Sequence, residues 1–123
     1  MASKISKLAV LTSGGDAPGM NAAIRAIVLA AHNYHIEVIG FYHGYNGLIN
    51  DESILLSLIN INDIIHKGGT ILKSARCPDM LEEKGVKQAA ATLMKNDIDA
   101  LIVIGGDGSF KGLLALQQHW SGQ

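Results

Sequence analysis

A chain of 123 residues suffices for one domain, burying about 70% of its unfolded surface, and 48% hydrophobic with 17% charged residues excludes a disordered chain. No apolar run approaches the ~20 residues a bilayer needs, and ten scattered Lys and Arg with a net charge of −1 leave no basic footprint for nucleic acid. A single cysteine, Cys77, excludes a disulfide framework, and the amino terminus Met1-Ala2-Ser3-Lys4-Ile5 carries no export signal, so a cytoplasmic chain without membrane or nucleic-acid partners is expected.

In chain order, Leu8 to Leu11 is a short apolar run that reads as a strand, followed by the glycine-rich turn Ser13-Gly14-Gly15-Asp16-Ala17-Pro18-Gly19. Met20, Ala23, Ile24, Ile27, Val28 and Ala31 then recur at helical spacing, completing a βα unit. Ile36 to Tyr42 is the second strand candidate. Gly44, Asn46, Gly47, Asn50 and Asp51 make a turn-rich segment before the apolar run Ile54 to Leu58. Asn60 or Asn62 caps a short helix through Ile64 and Ile65 that stops at Gly68-Gly69. Pro78 with Asp79 and Glu82 forms a variant of the capping box, opening a helix whose Val86, Ala89, Ala90, Leu93 and Met94 make one apolar face. Ile98 to Ile104 is the last strand, and after Gly105-Gly106-Asp107-Gly108-Ser109 a helix with Phe110, Leu113, Leu114 and Leu116 runs out near Trp120.

This alternation predicts one α/β domain over residues 1–123, an open parallel sheet flanked by helices in three layers, Rossmann-like. Three or four strands are few for such a sheet, so the chain reads as an amino-terminal portion. Glycine turns at the carboxyl ends of buried strands bring backbone N–H groups and helix N-termini to a phosphate. Asp107 in the second turn repels a bare phosphate unless a cation bridges them, and Mg²⁺ binds in that way through one or two carboxylates and phosphate oxygens. A third segment, Gly68-Gly69-Thr70 leading into Ser74-Ala75-Arg76-Cys77-Pro78, offers a guanidinium to a phosphoryl group in transit. Neither loop matches the P-loop pattern, and Gly106-x-Gly108 with Gly112 misses the dinucleotide fingerprint by one residue. The five histidines show no metal-ligand pairing, Cys77 reads as a small apolar filler, and Tyr42 and Tyr45 as packing residues beside a turn.

Together, Leu11-Thr12-Ser13-Gly14-Gly15-Asp16-Ala17-Pro18-Gly19-Met20-Asn21-Ala22-Ala23-Ile24-Arg25, Gly68-Gly69-Thr70 with Ser74-Ala75-Arg76, and Val103-Ile104-Gly105-Gly106-Asp107-Gly108-Ser109 closely resemble bacterial ATP-dependent 6-phosphofructokinase, from about Lys7 onward. The resemblance implies the phosphofructokinase-type fold and a glycolytic transfer of the γ-phosphoryl of ATP to the 1-hydroxyl of fructose 6-phosphate. It implies that Gly15, Gly106, Asp107, Gly108 and Ser109 hold the ATP phosphates, with Asp107 on Mg²⁺ and Arg76 stabilising the transferring group. Cys77, Tyr45 and Gly112 would stand near the nucleotide. Gly108 matches ATP users, whereas pyrophosphate-dependent relatives tend to carry Asp there. The family's Thr-Ile-Asp-Asn-Asp segment, with its catalytic aspartate, and its sugar-phosphate residues do not occur among the 123 residues, so this chain alone is expected to lack turnover. The family is a homotetramer with an ADP or phosphoenolpyruvate effector site. Arg25 and Asp63 match that site, but Leu29 and Leu58 stand where arginines are expected. Lys73 is also unusual for the family. The alternative from another class is a non-catalytic ATP-binding module, and a third is a flavodoxin-like interaction domain without nucleotide.

Overall fold

The computed structural model describes residues 5–14, 19–62, 69–74, 80 and 82–120, apart from the side chains of Asp107 and Gly108. Strand β1 (Lys7–Thr12) is central. Its Ala9, Val10, Leu11 and Thr12 are all fully buried, as expected where both faces of a strand are covered. Side chains alternate across it. Ala9 and Leu11 join one apolar cluster with Phe41, Leu48, Leu93 and Leu116, while Val10 joins the other with Ile24, Val28, Val38 and Leu72.

Helix α1 (Met20–Asn33) covers the second cluster with Ile24, Val28 and Ala31, the stripe anticipated from the helical spacing. Each such fully buried aliphatic side chain contributes roughly 1.5–3 kcal/mol. The chain returns as β2 (Glu37–Phe41), parallel to β1 with Leu8 opposite Val38. The first cluster is covered by α2 (Tyr45–Asn50), α3 (Glu83–Lys95) and α4 (Asp107–Gln117). Strand β4 (Ala100–Ile104) lies parallel to β1 on the side away from β2, with Thr12 opposite Ile104.

The expected all-parallel sheet is corrected at one strand. β3 (Ser53–Leu56) runs antiparallel to β2, with Phe41 opposite Ser53, so the sheet is mixed, in the order β3-β2-β1-β4. The cause is the short connection. A parallel crossover needs a dozen or more residues, whereas residues 42–52 coil into α2 and reverse at Asp51, whose φ is 58°. The turn-rich reading of this segment missed α2. Gly47 and two asparagines make a poor intrinsic helix, and it is held instead by tertiary packing of Tyr45, Gly47 and Leu48, all buried.

Two further expectations shift. Asn60 accepts hydrogen bonds from the Ser57 amide (2.9 Å) and hydroxyl (2.8 Å), closing a turn instead of capping a helix. The helix anticipated through Ile64 and Ile65 lies outside the described residues, as does Asp79. α3 begins at Glu83 without a side-chain cap at Glu82, and its Met94 is 58% exposed, while Thr92 is buried and donates to the Gln88 carbonyl. β4 forms one margin of the described sheet. Ile102, Phe110 and Leu114 there are exposed to 36%, 60% and 48%.

Candidate functional site

The chain leaves β1 toward α1 on one face of the sheet, and leaves the neighbouring β4 toward α4 on the other. Between two parallel neighbours whose connections diverge in this way, a crevice opens at the carboxyl ends of the strands. Both glycine turns stand at its mouth. The Ser13 amide donates to the Ile104 carbonyl at 2.9 Å, extending the β1–β4 ladder one rung into the turns.

Contact between the turns depends on absent side chains. A Cβ on Gly105 would lie 2.6 Å from the Ser13 carbonyl oxygen and would collide with the Ser109 hydroxyl, so only glycine allows this approach. Gly14 has a φ of 80°, and a Cβ there would reach within 3.8 Å of Ser109 Oγ. A Cβ on Gly106, by contrast, would meet nothing within 4 Å among the described residues, leaving space open to them beside the first turn of α4. The leading N–H groups of that turn have no carbonyl four residues back inside the helix. Ser109 is buried, and its Oγ has no hydrogen-bond partner among the described residues. A buried hydroxyl without a partner is costly, and a phosphate oxygen would satisfy it.

Gly106, Asp107, Gly108, Ser109 and Gly112 therefore fall together at the start of α4 by their backbone. Tyr45 stands beside them but beneath the helix. It is 3% exposed, its hydroxyl donates to the Ser109 carbonyl at 2.6 Å, and its ring fills the notch left by Gly112, where a Cβ would sit 2.9 Å away. In this arrangement Tyr45 supports the turn from below. Gly15, Arg76, Cys77 and Asp63 lie outside the described residues, whereas Arg25 is exposed on α1.

Residues 69–73 are fastened to the same end of the sheet by side chains that the motifs did not single out. Asn21, in the first turn of α1, donates to the Gly69 carbonyl (2.5 Å) and accepts from the Ile71 amide (2.7 Å). Thr12 donates to the Lys73 carbonyl at 2.8 Å and lies 3.1 Å from the Thr70 hydroxyl. Asn21, Thr12 and Thr70 are all buried, and buried polar groups seek partners, but nothing in the sequence marked their burial.

Among the described residues the perturbed carboxylates lie elsewhere. Asp99 accepts from the Ser6 and Lys7 amides and the Ser6 hydroxyl at 2.9–3.0 Å, which holds its carboxyl below the usual value of 3.8. Asp51 is held low by hydrogen bonds from Lys95 (2.8 Å) and Asn96 (3.1 Å). Near the amino end of β2 is an apolar hollow of about 360 Å³ lined by Val28, His32, Val38, Leu55, Leu58 and Ile59 among others, which has little to offer a phosphate. No group of three or more His, Cys, Asp or Glu gathers among the described residues.

A doubly wound sheet with glycine turns meeting at its switch point defines a class of α/β proteins that hold phosphorylated ligands. Comparison with known proteins narrows this. The phosphofructokinase family model matches residues 7–123. The chain is 55% identical over 113 residues to the ATP-dependent 6-phosphofructokinase of Staphylococcus aureus (strain JH9), covering 92% of this chain and 35% of that protein. It is 51% identical over 114 residues to the enzyme of the same name from Thermoanaerobacter sp. (strain X514), covering 93% and 36%. It also superposes on the phosphofructokinase of Pichia pastoris in the T-state with a TM-score of 0.89 and 41% identity, over 98% of this chain and 13% of that one. The chain belongs to the phosphofructokinase family, and it spans about a third of the length of the curated bacterial relatives it matches. Among the described residues no helix is long and apolar enough to cross a membrane.

Proposed function

We propose that residues 1–123 form the nucleotide half of an ATP-dependent 6-phosphofructokinase, a cytoplasmic, glycolytic and homotetrameric enzyme when complete. The reaction is in-line transfer of the γ-phosphoryl of ATP to the 1-hydroxyl of fructose 6-phosphate, giving ADP and fructose 1,6-bisphosphate. The observation that carries the nucleotide reading is the meeting of the two glycine turns, with the Ser13 amide on the Ile104 carbonyl and Gly105 against Ser13.

In this reading Gly15 and the Gly106-Asp107-Gly108-Ser109 turn surround the phosphates, and the Ser109 hydroxyl gains the partner it otherwise lacks. The Ser109 and Phe110 amides donate to the Gly106 carbonyl, so the backbone N–H groups offered to negative charge are those of Asp107 and Gly108 at the head of α4, where the helix dipole also favours it. Asp107 would hold Mg²⁺, which when bound neutralises charge on the phosphate oxygens. Open space at Gly106 and the unpartnered Ser109 hydroxyl fit such a polyphosphate and cation. Arg76 stabilises the phosphoryl group in transit by its fixed charge. Cys77 and Gly112 stand near the nucleotide, and Tyr45 acts through α4. The acceptor hydroxyl needs a base and a sugar-phosphate site from the remainder of the enzyme, which would also cover Ile102, Phe110 and Leu114.

Calorimetric titration of the chain with Mg·ATP, paired with a coupled assay containing fructose 6-phosphate, tests this. Binding without turnover is expected. Absence of binding overturns the nucleotide reading, and turnover overturns the half-site reading. A second proposal concerns control: Arg25 and Asp63 belong to an effector site, but Leu29 and Leu58, both exposed, bring no charge to it. The complete enzyme therefore responds weakly to ADP, and strong ADP activation in a steady-state assay would contradict this.

A further inference from the structure

Among the described residues five non-glycine residues have a left-handed backbone, and three of them, His35, Asp51 and Asp97, do ordinary work in terminating α1, α2 and α3. Lys73 terminates no helix. Its φ is 61°, a region that lysine visits at a steric cost and that glycine occupies freely. Hydrogen bonds hold the turn on the side that precedes Lys73 and at its own carbonyl. Thr12 holds the Lys73 carbonyl, the Lys73 amide donates to the Thr70 carbonyl at 3.1 Å, and Asn21 grips Gly69 and Ile71. The amide of the fifth residue, His43, donates to the Leu72 carbonyl at 2.9 Å.

A strained residue held by its neighbours is a sign of function when its side chain has work to do there. Lys73 is exposed, and among the described residues its ammonium, like those of Lys84 and Lys111, faces no carboxylate; Lys73 alone of the three has a left-handed backbone. Its carbonyl is fixed to Thr12, two residues or about 7 Å of extended backbone before Gly14 in the first glycine turn. It also stands three residues ahead of Arg76.

We infer that Lys73 is an additional anion-binding residue of the crevice, its ammonium contacting the phosphate chain of a nucleoside triphosphate. This rests on the nucleotide reading above. The strain of the left-handed lysine is the cost of placing a mobile cation where glycine would give the same turn without charge.

The test uses this chain with Mg·ATP, inorganic tripolyphosphate and adenosine as separate probes in calorimetry, for the wild type, Lys73→Gln and Lys73→Gly. Lys73→Gln keeps the strain and removes the charge. It is expected to weaken Mg·ATP and tripolyphosphate about three- to tenfold, to leave adenosine unchanged, and to reduce the salt dependence of binding. Lys73→Gly is expected to lose the same affinity while melting at a higher temperature, since relief of the left-handed strain outweighs the greater freedom glycine gives the unfolded chain. Wild-type affinity for both phosphate probes in Lys73→Gln, or equal weakening of adenosine, overturns the role of Lys73 alone. A wild-type chain that binds neither Mg·ATP nor tripolyphosphate overturns the nucleotide reading and this inference together.

Discussion

The two ends of the sheet are built on opposite principles. At the amino end, Asp99 gathers three hydrogen bonds from Ser6 and Lys7, Lys7 faces Glu37 at 3.9 Å, and the Asp99 amide returns to the Lys7 carbonyl at 2.9 Å. The polar groups of this small network pair with one another. At the carboxyl end, Gly105 and Gly106 carry no side chain, Ser109 Oγ is buried without a partner among the described residues, and Lys73 holds a strained conformation without a counter-ion. The first end joins strands, and the second leaves donors and charge available to a ligand. Stability and binding are thus separable at particular residues: Asp99 is expected to move the first alone and Ser109 the second, whereas Gly105 serves both.

The largest expected effect is at the contact between the turns. Gly105→Ala forces a methyl against the Ser13 carbonyl and the Ser109 hydroxyl, so it should cost about 3 kcal/mol in urea denaturation and bring Mg·ATP binding below detection. Retention of both would show that the turns are not in this close contact. Next comes Asn21→Ala, which leaves the Gly69 carbonyl and the Ile71 amide unpaired. A loss of about 2 kcal/mol is expected, and faster amide exchange at Ile71 would locate the damage.

Ser109→Ala sharpens the comparison. Removing a buried hydroxyl that has no partner should leave the melting temperature unchanged or slightly raised, yet weaken Mg·ATP about tenfold. A loss of stability with unchanged binding would assign Ser109 to the scaffold. The smallest effect belongs to the amino end. The Asp99 carboxyl is held low by its donors, so its contribution to stability is present above its unfolded value near 3.8 and is lost as pH falls through the lower folded value. Asp99→Asn should therefore lower the urea midpoint at pH 7 by an amount that shrinks as pH falls below 3.8, with nucleotide binding unaffected at pH 7.

Much of this division was legible before the fold was known. Leu8 to Leu11 and Leu101 to Ile104 read as strands because apolar residues run on without alternation, although burial on both faces holds for the first and not for the second, where Ile102 is exposed at the margin. Their adjacency follows from the topology, which the parallel ladder and the Ser13 to Ile104 hydrogen bond realise. The direction of β3 was not legible, since Ile54 to Leu56 pairs equally well either way and the reversal depends on α2, a helix that its own residues barely favour. Nor was the clamp at Asn21. A polar residue in the first turn of a helix is ordinary in sequence, and only burial against residues 69–71 gives it a role. Tyr45 was read as a packing residue, and by resemblance as a neighbour of the nucleotide. Its burial under α4 favours the first role and makes it a support for the second.

The central claim is that the crevice between β1 and β4 holds the phosphates. Amide chemical shifts measured during Mg·ATP titration test it most directly. The account predicts the largest changes at Ser13, Gly14, Gly105, Gly106 and Ser109, with Ser6, Lys7 and Asp99 nearly still. Changes centred on the amino end of the sheet, or on the hollow lined by Val28 and Leu58, would contradict it.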